Sequence, residues 1–514
     1  MNSAILRLPR RAESREREQL VATFVDVGTL SILIQTTDHQ VVFGRRGTGK
    51  THLFHHLANA QEEAGDVVCV IDLRHVGSNA GLYADARYPL SERATRLLVD
   101  TLAEVHNALL DYFVEHAGAH NQVEAYRRLE EFAQAITEVR VSGPVRRERE
   151  AAITTERGSG VSASVGVGPT GPSIDLSHRR SDDAVHEASV RESRAGDEES
   201  YVHFGSTGAA MRAILSVLEG QRLWVLLDEW SNVPLDLQPL LADLIRRTML
   251  ATPRVTVKIA AIEHRSSFMV MKPNREYTGV ELGADMSADV TLDDFMVFEN
   301  DPERAKQFFQ TLISKHIGAV AREHQIEGIG DDPEEVFRTA FTDRRAIDEF
   351  VRACEGVPRD GMNILGIAAQ KANDKAIGVN DIRSAAKDWY GRDKQSGIRG
   401  SERLEPLLHY IVDKVIGERR ARAFLVKSGR RSASIDALYD SRVLHVLKRG
   451  VSTHDQPGER YDAYKLDYGC YVNLVSTQRG PLGLFPPEEG STVYADVPPD
   501  DYRSIRRAIL ELED

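Results

Sequence analysis

Apolar and polar positions along the chain follow two periods. Gln40-Val41-Val42-Phe43 reads as a compact strand, followed at once by a Gly-rich turn and a helical run from Thr51 to Glu63. Asp66 to Leu73 is a continuous apolar strand, the kind a parallel sheet buries on both faces. Apolar residues at helical spacing run from Ser91 to Glu115 (Leu97, Leu98, Leu102, Val105, Leu109 and Leu110 among them) and again from Gln122 to Val139. A helix near Gly208 to Leu218, a strand Leu223 to Leu227, a helix Leu235 to Leu250 and a strand Val255 to Ile262 follow. Strands alternating with helices predict an α/β core with a parallel sheet.

After about Asp301 the strand signals stop. Pro302 to Ile317, Pro333 to Phe341, Arg344 to Cys354, Gly361 to Ala372 and Asn380 to Trp389 read as successive helices, and Lys394 to Gly400 as a linker. Leu404 to Ile416, Ser432 to Tyr439 and Ser441 to Lys448 read as three more helices. Tyr461 to Leu466 and Cys470 to Leu474 read as a hairpin turning at Asp467-Tyr468-Gly469. Between Ser142 and Ser200 the chain is rich in Gly, Ser, Arg and Glu and poor in large apolar residues, which predicts a mobile insertion. Within it, Val161 to Val167 alternates and could form a small hairpin turning at Gly168 to Gly171.

The chain has 514 residues, enough for about three domains. Its net charge of −13 excludes a wholly basic nucleic-acid coat but not a local basic module. No apolar run approaches the ~20 residues that span a bilayer. The arginines of the first 18 residues are not followed by the apolar stretch of a secretory signal. Cys69, Cys354 and Cys470 are far apart and odd in number, which argues against a disulfide framework or zinc cluster and predicts a cytoplasmic protein.

Gly44-Arg45-Arg46-Gly47-Thr48-Gly49-Lys50-Thr51 matches G-x-x-x-x-G-K-[ST] at every fixed position. Glycines allow positive φ, which turns successive N–H groups inward as an anion nest. The following helix adds its N-terminal partial charge. Lys50 would reach the β- and γ-phosphates of ATP, and the Thr51 hydroxyl would coordinate Mg²⁺. Leu223 to Leu227 ends in Asp228-Glu229. Asp228 would hold the magnesium shell and Glu229 would orient the attacking water, with Asp72 a second choice for the metal.

These motifs, with an all-helical segment after the core, resemble the AAA+ class of P-loop ATPases. Glu355-Gly356-Val357-Pro358-Arg359-Asp360-Gly361-Met362-Asn363-Ile364-Leu365 is similar to the G-x-P-R-x-x-x-[DN]-[LI]-[LI] lid signature of the origin-recognition initiator ATPases. The resemblance implies a P-loop core over 1–300 with an insertion at about 118–205, and a helical lid over 301–393. It also implies a winged-helix-like domain over 394–485, ahead of an acidic tail, 486–514. It makes Arg359 the lid arginine that touches the γ-phosphate. A polar residue after strand 255–262, Glu263 or Ser266, would position the water. A neighbouring subunit of a homo-oligomer, or a partner, would supply an arginine, for which Arg246, Arg247 and Arg265 are candidates.

Residues 394–449 carry thirteen basic groups against six acidic ones, a net of +7. Three helices and then a hairpin is the order of a winged helix, which places a helix in the major groove and basic residues against phosphates. That predicts double-stranded DNA as a partner, with Arg430 and Arg431 among its contacts. The function expected is an Mg²⁺-dependent ATPase whose nucleotide state controls DNA engagement or assembly. The alternative is a nucleotide-switched signalling or scaffold ATPase, for example a defence component, without DNA.

Overall fold

The computed structural model describes residues 1–12, 15–76, 87–118, 120–136, 139–142, 145–154, 156–168, 171–182, 186–194, 197–200, 203–271, 273, 276–295, 301–330, 332–418, 421, 423–428, 432–452, 459–472 and 510. They fall into two compact units, Met1–Val76 with Gly220–Asp514, and Gly77–Glu219.

The first unit is built on five parallel strands: β1 Gln40–Phe43, β2 Val67–Asp72, β3 Leu223–Asp228, β4 Val255–Ala261 and β5 Ser287–Thr291. Their order is β5-β1-β4-β3-β2. Every residue of β1, β3 and β4 is buried, the expected consequence of cover on both faces. At the edge, β2 instead alternates, with Val70 exposed. β1 and β3 flank β4, so the segments leaving their carboxyl ends share one rim of the sheet. This is the rim where open α/β sheets bind ligands. The α/β P-loop architecture expected from the sequence is therefore present. The sequence reading lacked β5, whose Ser-Ala-Asp-Val-Thr carries a single large apolar residue, Val290.

Five helices follow: Pro302–Glu323, Pro333–Ala340, Arg344–Cys354, Pro358–Ala372 and Val379–Trp389. Local chemistry sets their starts. Asp301, Asp332 and Asp343 each accept a backbone N–H of the first turn, and Pro occupies N1 after Asp301 and Asp332. Phe309, Phe337, Phe350 and Leu365 form their core, which extends to Ala4 and Ile5 of a short N-terminal helix and to Leu438, Leu466 and Tyr468.

The C-terminal module departs from expectation. After a helix Leu404–Val412 come β6 Ala423–Lys427, a helix Ala433–Asp440, β7 Leu444–Ser452 and β8 Arg460–Leu466, forming an antiparallel sheet of order β6-β8-β7. The expected helix Ser441–Lys448 is thus largely strand. Arg442 takes φ +59°, which stops the helix, and β7 pairs with β8 in the register Leu444↔Leu466, so tertiary pairing overrides local propensity. The expected strand Cys470–Leu474 overlaps the helical turn Tyr468–Tyr471, and residues 473–474 lie outside the described residues. The order is helix, strand, helix, strand, strand, and a winged helix is not shown. Of the acidic tail only Leu510 is described; it is buried and its N–H donates to Leu425 O (3.0 Å).

The second unit, within which the expected insertion lies, has helices Leu90–Glu115, Gln122–Ile136 and Phe204–Val217 packed through Leu102, Leu109, Phe132 and Met211. Between them Val145–Thr154, Glu156–Gly168, Gly171–Asp182 and His186–Arg194 form an antiparallel sheet. The expected hairpin is there, with Gly168 paired to Gly171. Strand content exceeds expectation, because a segment poor in large apolar residues gave no periodic signal beyond Val161–Val167.

Candidate functional site

β1 ends at Phe43 and the helix Lys50–Glu63 begins seven residues later. The loop between them needs left-handed backbone twice, at Gly47 (φ +88°) and Gly49 (φ +103°). A larger residue there would be strained. Lys50 folds back, its Nζ donating to Gly44 O (2.7 Å) and Arg45 O (3.1 Å). Burial holds its pKa below the ordinary lysine value, against the pull of Asp228 and Glu229. The ammonium is therefore a buried cation satisfied by carbonyls.

Across the rim, Thr51 Oγ1 donates to Asp228 Oδ2 (2.7 Å). Asp228 Oδ1 accepts the Glu229 N–H (2.8 Å), and burial raises the Asp228 pKa. Glu229 takes φ +59°, a strained backbone for a non-glycine residue at the strand end. Its Oε2 accepts from Asn232 Nδ2 (2.6 Å), and its Oε1 lies 4.0 Å from Arg74. Asp72 is in register with Asp228 but is engaged by Arg74, whose Nη2 lies 2.6 Å from Oδ2, and by His75 (3.5 Å). Of the two carboxylates, Asp228 is the one that bonds the Thr51 hydroxyl.

A cavity of about 360 Å³ opens onto this rim. Residues 46–51, Arg74, Glu229 and Asn232 line one side, and Phe308, Leu312, His316, Pro358, Arg359 and Met362 from the helical segment line another. The helical segment meets the loop directly: the Arg359 N–H donates to Gly47 O (3.2 Å), and a Cβ on Gly47 would stand 2.5 Å from Arg359 Cβ. The third wall, Pro9–Ala12 with Phe24, Val25, Val27 and Leu30, was missed by the sequence reading. Its one sequence signal was the apolar trio Phe24, Val25, Val27 after the short helix Arg17–Thr23. At the back, the His52 and His316 rings lie 5.9 Å apart, and burial depresses each pKa to about 4.

The remaining expected residues lie elsewhere. Arg45 is buried and points away from the cavity; its Nε bonds Asp293 (2.6 Å) and its Nη1 donates to Leu444 O (3.0 Å). Glu263 pairs with Arg449 (2.7 Å) and Ser266 bonds Ser231 (3.0 Å); neither lines the cavity. Arg246 and Arg247 both pair with Asp243, and Arg265 lies 3.3 Å from Asp440. Of the basic module, Lys394 and Arg442 are buried, while Lys414, Lys427 and Arg449 pair with Glu418, Glu459 and Glu263. Arg399, Arg403 and Lys448 are exposed, and Arg419, Arg420, Arg422, Arg430 and Arg431 lie outside the described residues. Glu355, His445 and Asp467 converge, but Lys465 and Lys394 already pair with the two acids, which fits a charge network rather than a metal centre.

The donor set suits magnesium and a nucleotide triphosphate. A hydroxyl and a carboxylate meet at hydrogen-bond distance, a lysine folds into the loop, and a second carboxylate stands beside them. No helix among the described residues is long and apolar enough to cross a membrane. No protein-family model and no curated protein matches the chain. Among solved structures, the Aeropyrum pernix ORC1 protein in complex with DNA aligns over 88% of this chain and 93% of that one, at 11% identity and a TM-score of 0.29.

Proposed function

We propose that the chain is a magnesium-dependent ATPase. The observation that carries this is the Thr51–Asp228 hydrogen bond across the rim, with Lys50 and Glu229 on the same cavity. Loop N–H groups from Gly47 to Thr51 hold the β- and γ-phosphates, and Lys50 exchanges its bonds with Gly44 O and Arg45 O for phosphate oxygens. Thr51 and Asp228 would hold Mg²⁺, which would supply positive charge to neutralise the phosphates. Glu229, kept in place by Asn232, orients water, and Arg359 meets the γ-phosphate from the lid side. The apolar wall of Phe24, Val25 and Leu312 receives the base.

Titrating ATP with and without Mg²⁺ tests this. Tight binding that Lys50→Ala abolishes, and a magnesium requirement that Thr51→Ala weakens, are expected; binding indifferent to all three changes refutes it.

The nucleotide state would control DNA engagement or assembly. Exposed Arg399 and Arg403 support DNA, as do the arginines at 419–422 and 430–431. Affinity should then fall steeply with salt and be lost in Arg430→Glu/Arg431→Glu. A nucleotide-switched scaffold without DNA is favoured by the internal pairing of Lys394, Lys427, Arg442 and Arg449. Unchanged DNA binding in that double variant decides for it. In either case a neighbouring subunit would complete the site with an arginine, Arg246, Arg247 or Arg265.

A further inference from the structure

Three consecutive loop residues are each held by residues distant in the chain. Arg45 is clamped between Asp293 (2.6 Å) and the β7 carbonyl of Leu444 (3.0 Å), with its guanidinium 4.4 Å over the Tyr439 ring. The Arg46 carbonyl accepts from Arg442 Nη1 (3.1 Å). The Gly47 carbonyl accepts the Arg359 N–H (3.2 Å). Beside Arg359, Asp360 is fully buried. It accepts from Trp389 Nε1 (3.0 Å), pairs with Lys394 (2.9 Å) and lies 3.6 Å from Arg442 Nε. Arg442 itself is buried, adopts φ +59° and pairs with Asp393. One guanidinium thus bridges the first turn of the helix Pro358–Ala372, Asp393 just before the linker, and the phosphate loop.

We propose that the C-terminal module, residues 394–472, is a cis-acting part of the nucleotide site, with Arg442 as the residue that positions the phosphate loop. The inference rests on the nucleotide reading above. A loop whose N–H groups face an anion turns its carbonyls outward. Arg442 takes one of those carbonyls, so it favours the conformation that binds phosphate. Nucleotide binding and module docking are then reciprocally coupled. A planar fork is needed, because one side chain must reach Arg46 O, Asp360 and Asp393 at once, which a lysine cannot do.

The test uses the full chain and a fluorescent ATP analogue. Arg442→Lys keeps a cation between Asp360 and Asp393 but loses the fork, so affinity should fall about tenfold. Lys427→Ala, at the outer edge of the module, should leave affinity unchanged. Wild-type chain with ATP should show slowed amide exchange over Leu444–Ser452, and Arg442→Lys should lose that slowing. Equal affinity in Arg442→Lys, or exchange in β7 blind to nucleotide, overturns the proposal. If Arg442→Lys does not fold, Asp393→Asn, at a part-exposed position, should weaken affinity about threefold, and no weakening there overturns it too. Wild-type chain that fails to bind the analogue refutes instead the nucleotide reading.

Discussion

Gly47 is the position where the Gly44–Thr51 loop and the helix Pro358–Ala372 touch, and replacing it with alanine has two separable consequences. The backbone there has φ +88°, and an L-residue in left-handed conformation costs roughly 1–2 kcal/mol. The new Cβ would also stand 2.5 Å from Arg359 Cβ and 3.1 Å from Arg359 Cδ. Relieving an overlap of that kind costs about 1–3 kcal/mol. Gly49 provides the control: its φ is +103°, but nothing lies within 4 Å of its Cβ position. Gly49→Ala should therefore lose only the backbone part, and Gly47→Ala should be less stable by about 1–3 kcal/mol more. Urea unfolding followed by tryptophan fluorescence suits the measurement, because Trp224 and Trp230 sit in the core and Trp389 in the lid, bonded to Asp360. In the double variant Gly47→Ala/Arg359→Gly the extra loss should shrink, the non-additivity expected of a direct contact. Equal losses at Gly47 and Gly49, or strict additivity in the double variant, refute the lid contact.

Two further expectations concern acid stability and the Glu229 carboxylate. Burial holds His52 and His316 at about 4, against about 6.5 in the unfolded chain, so the unfolded state binds more protons between those values. The stabilisation is complete above pH 6.5 and is lost as pH falls toward 4. At pH 5 each histidine should lower stability by about 2 kcal/mol. The gap between denaturant midpoints at pH 7.5 and 5 should therefore narrow in His316→Gln, with the His52 share remaining, and an unchanged pH dependence contradicts the assignment. Glu229→Gln should lose stability only slightly, since its carboxylate is part-exposed and Asn232 can still bond the amide oxygen. A thermal shift of several degrees would instead give Glu229 a structural role.

The sequence exposed those parts of the site whose chemistry is local. Gly44 to Thr51 spell out their own loop, and Asp228-Glu229 end a strand apolar enough to be read as buried. The helices after the core were legible because Asp301, Asp332 and Asp343 cap three of them and prolines stand at three of their starts. What stayed hidden depends on partners distant in the chain. Nothing around Leu444 announces β8, and Arg45 meets Leu444 across 399 positions. The basic count over 394–449 suggested a surface, whereas Lys394 and Arg442 are buried against Asp360, Asp467 and the loop. The Pro9–Ala12 wall carried no motif at all. A charge sum cannot tell a solvated arginine from one buried in a network.

The most direct test is a pair of measurements on wild-type chain and Glu229→Gln: ATP affinity with Mg²⁺, and phosphate release over a single turnover. The account predicts that both proteins bind ATP with similar affinity. Wild type should release phosphate and Glu229→Gln should do so at least a hundredfold more slowly, on the order of the loss of a positioned base. Equal phosphate release by the two, or a wild-type chain that binds no ATP, would contradict it.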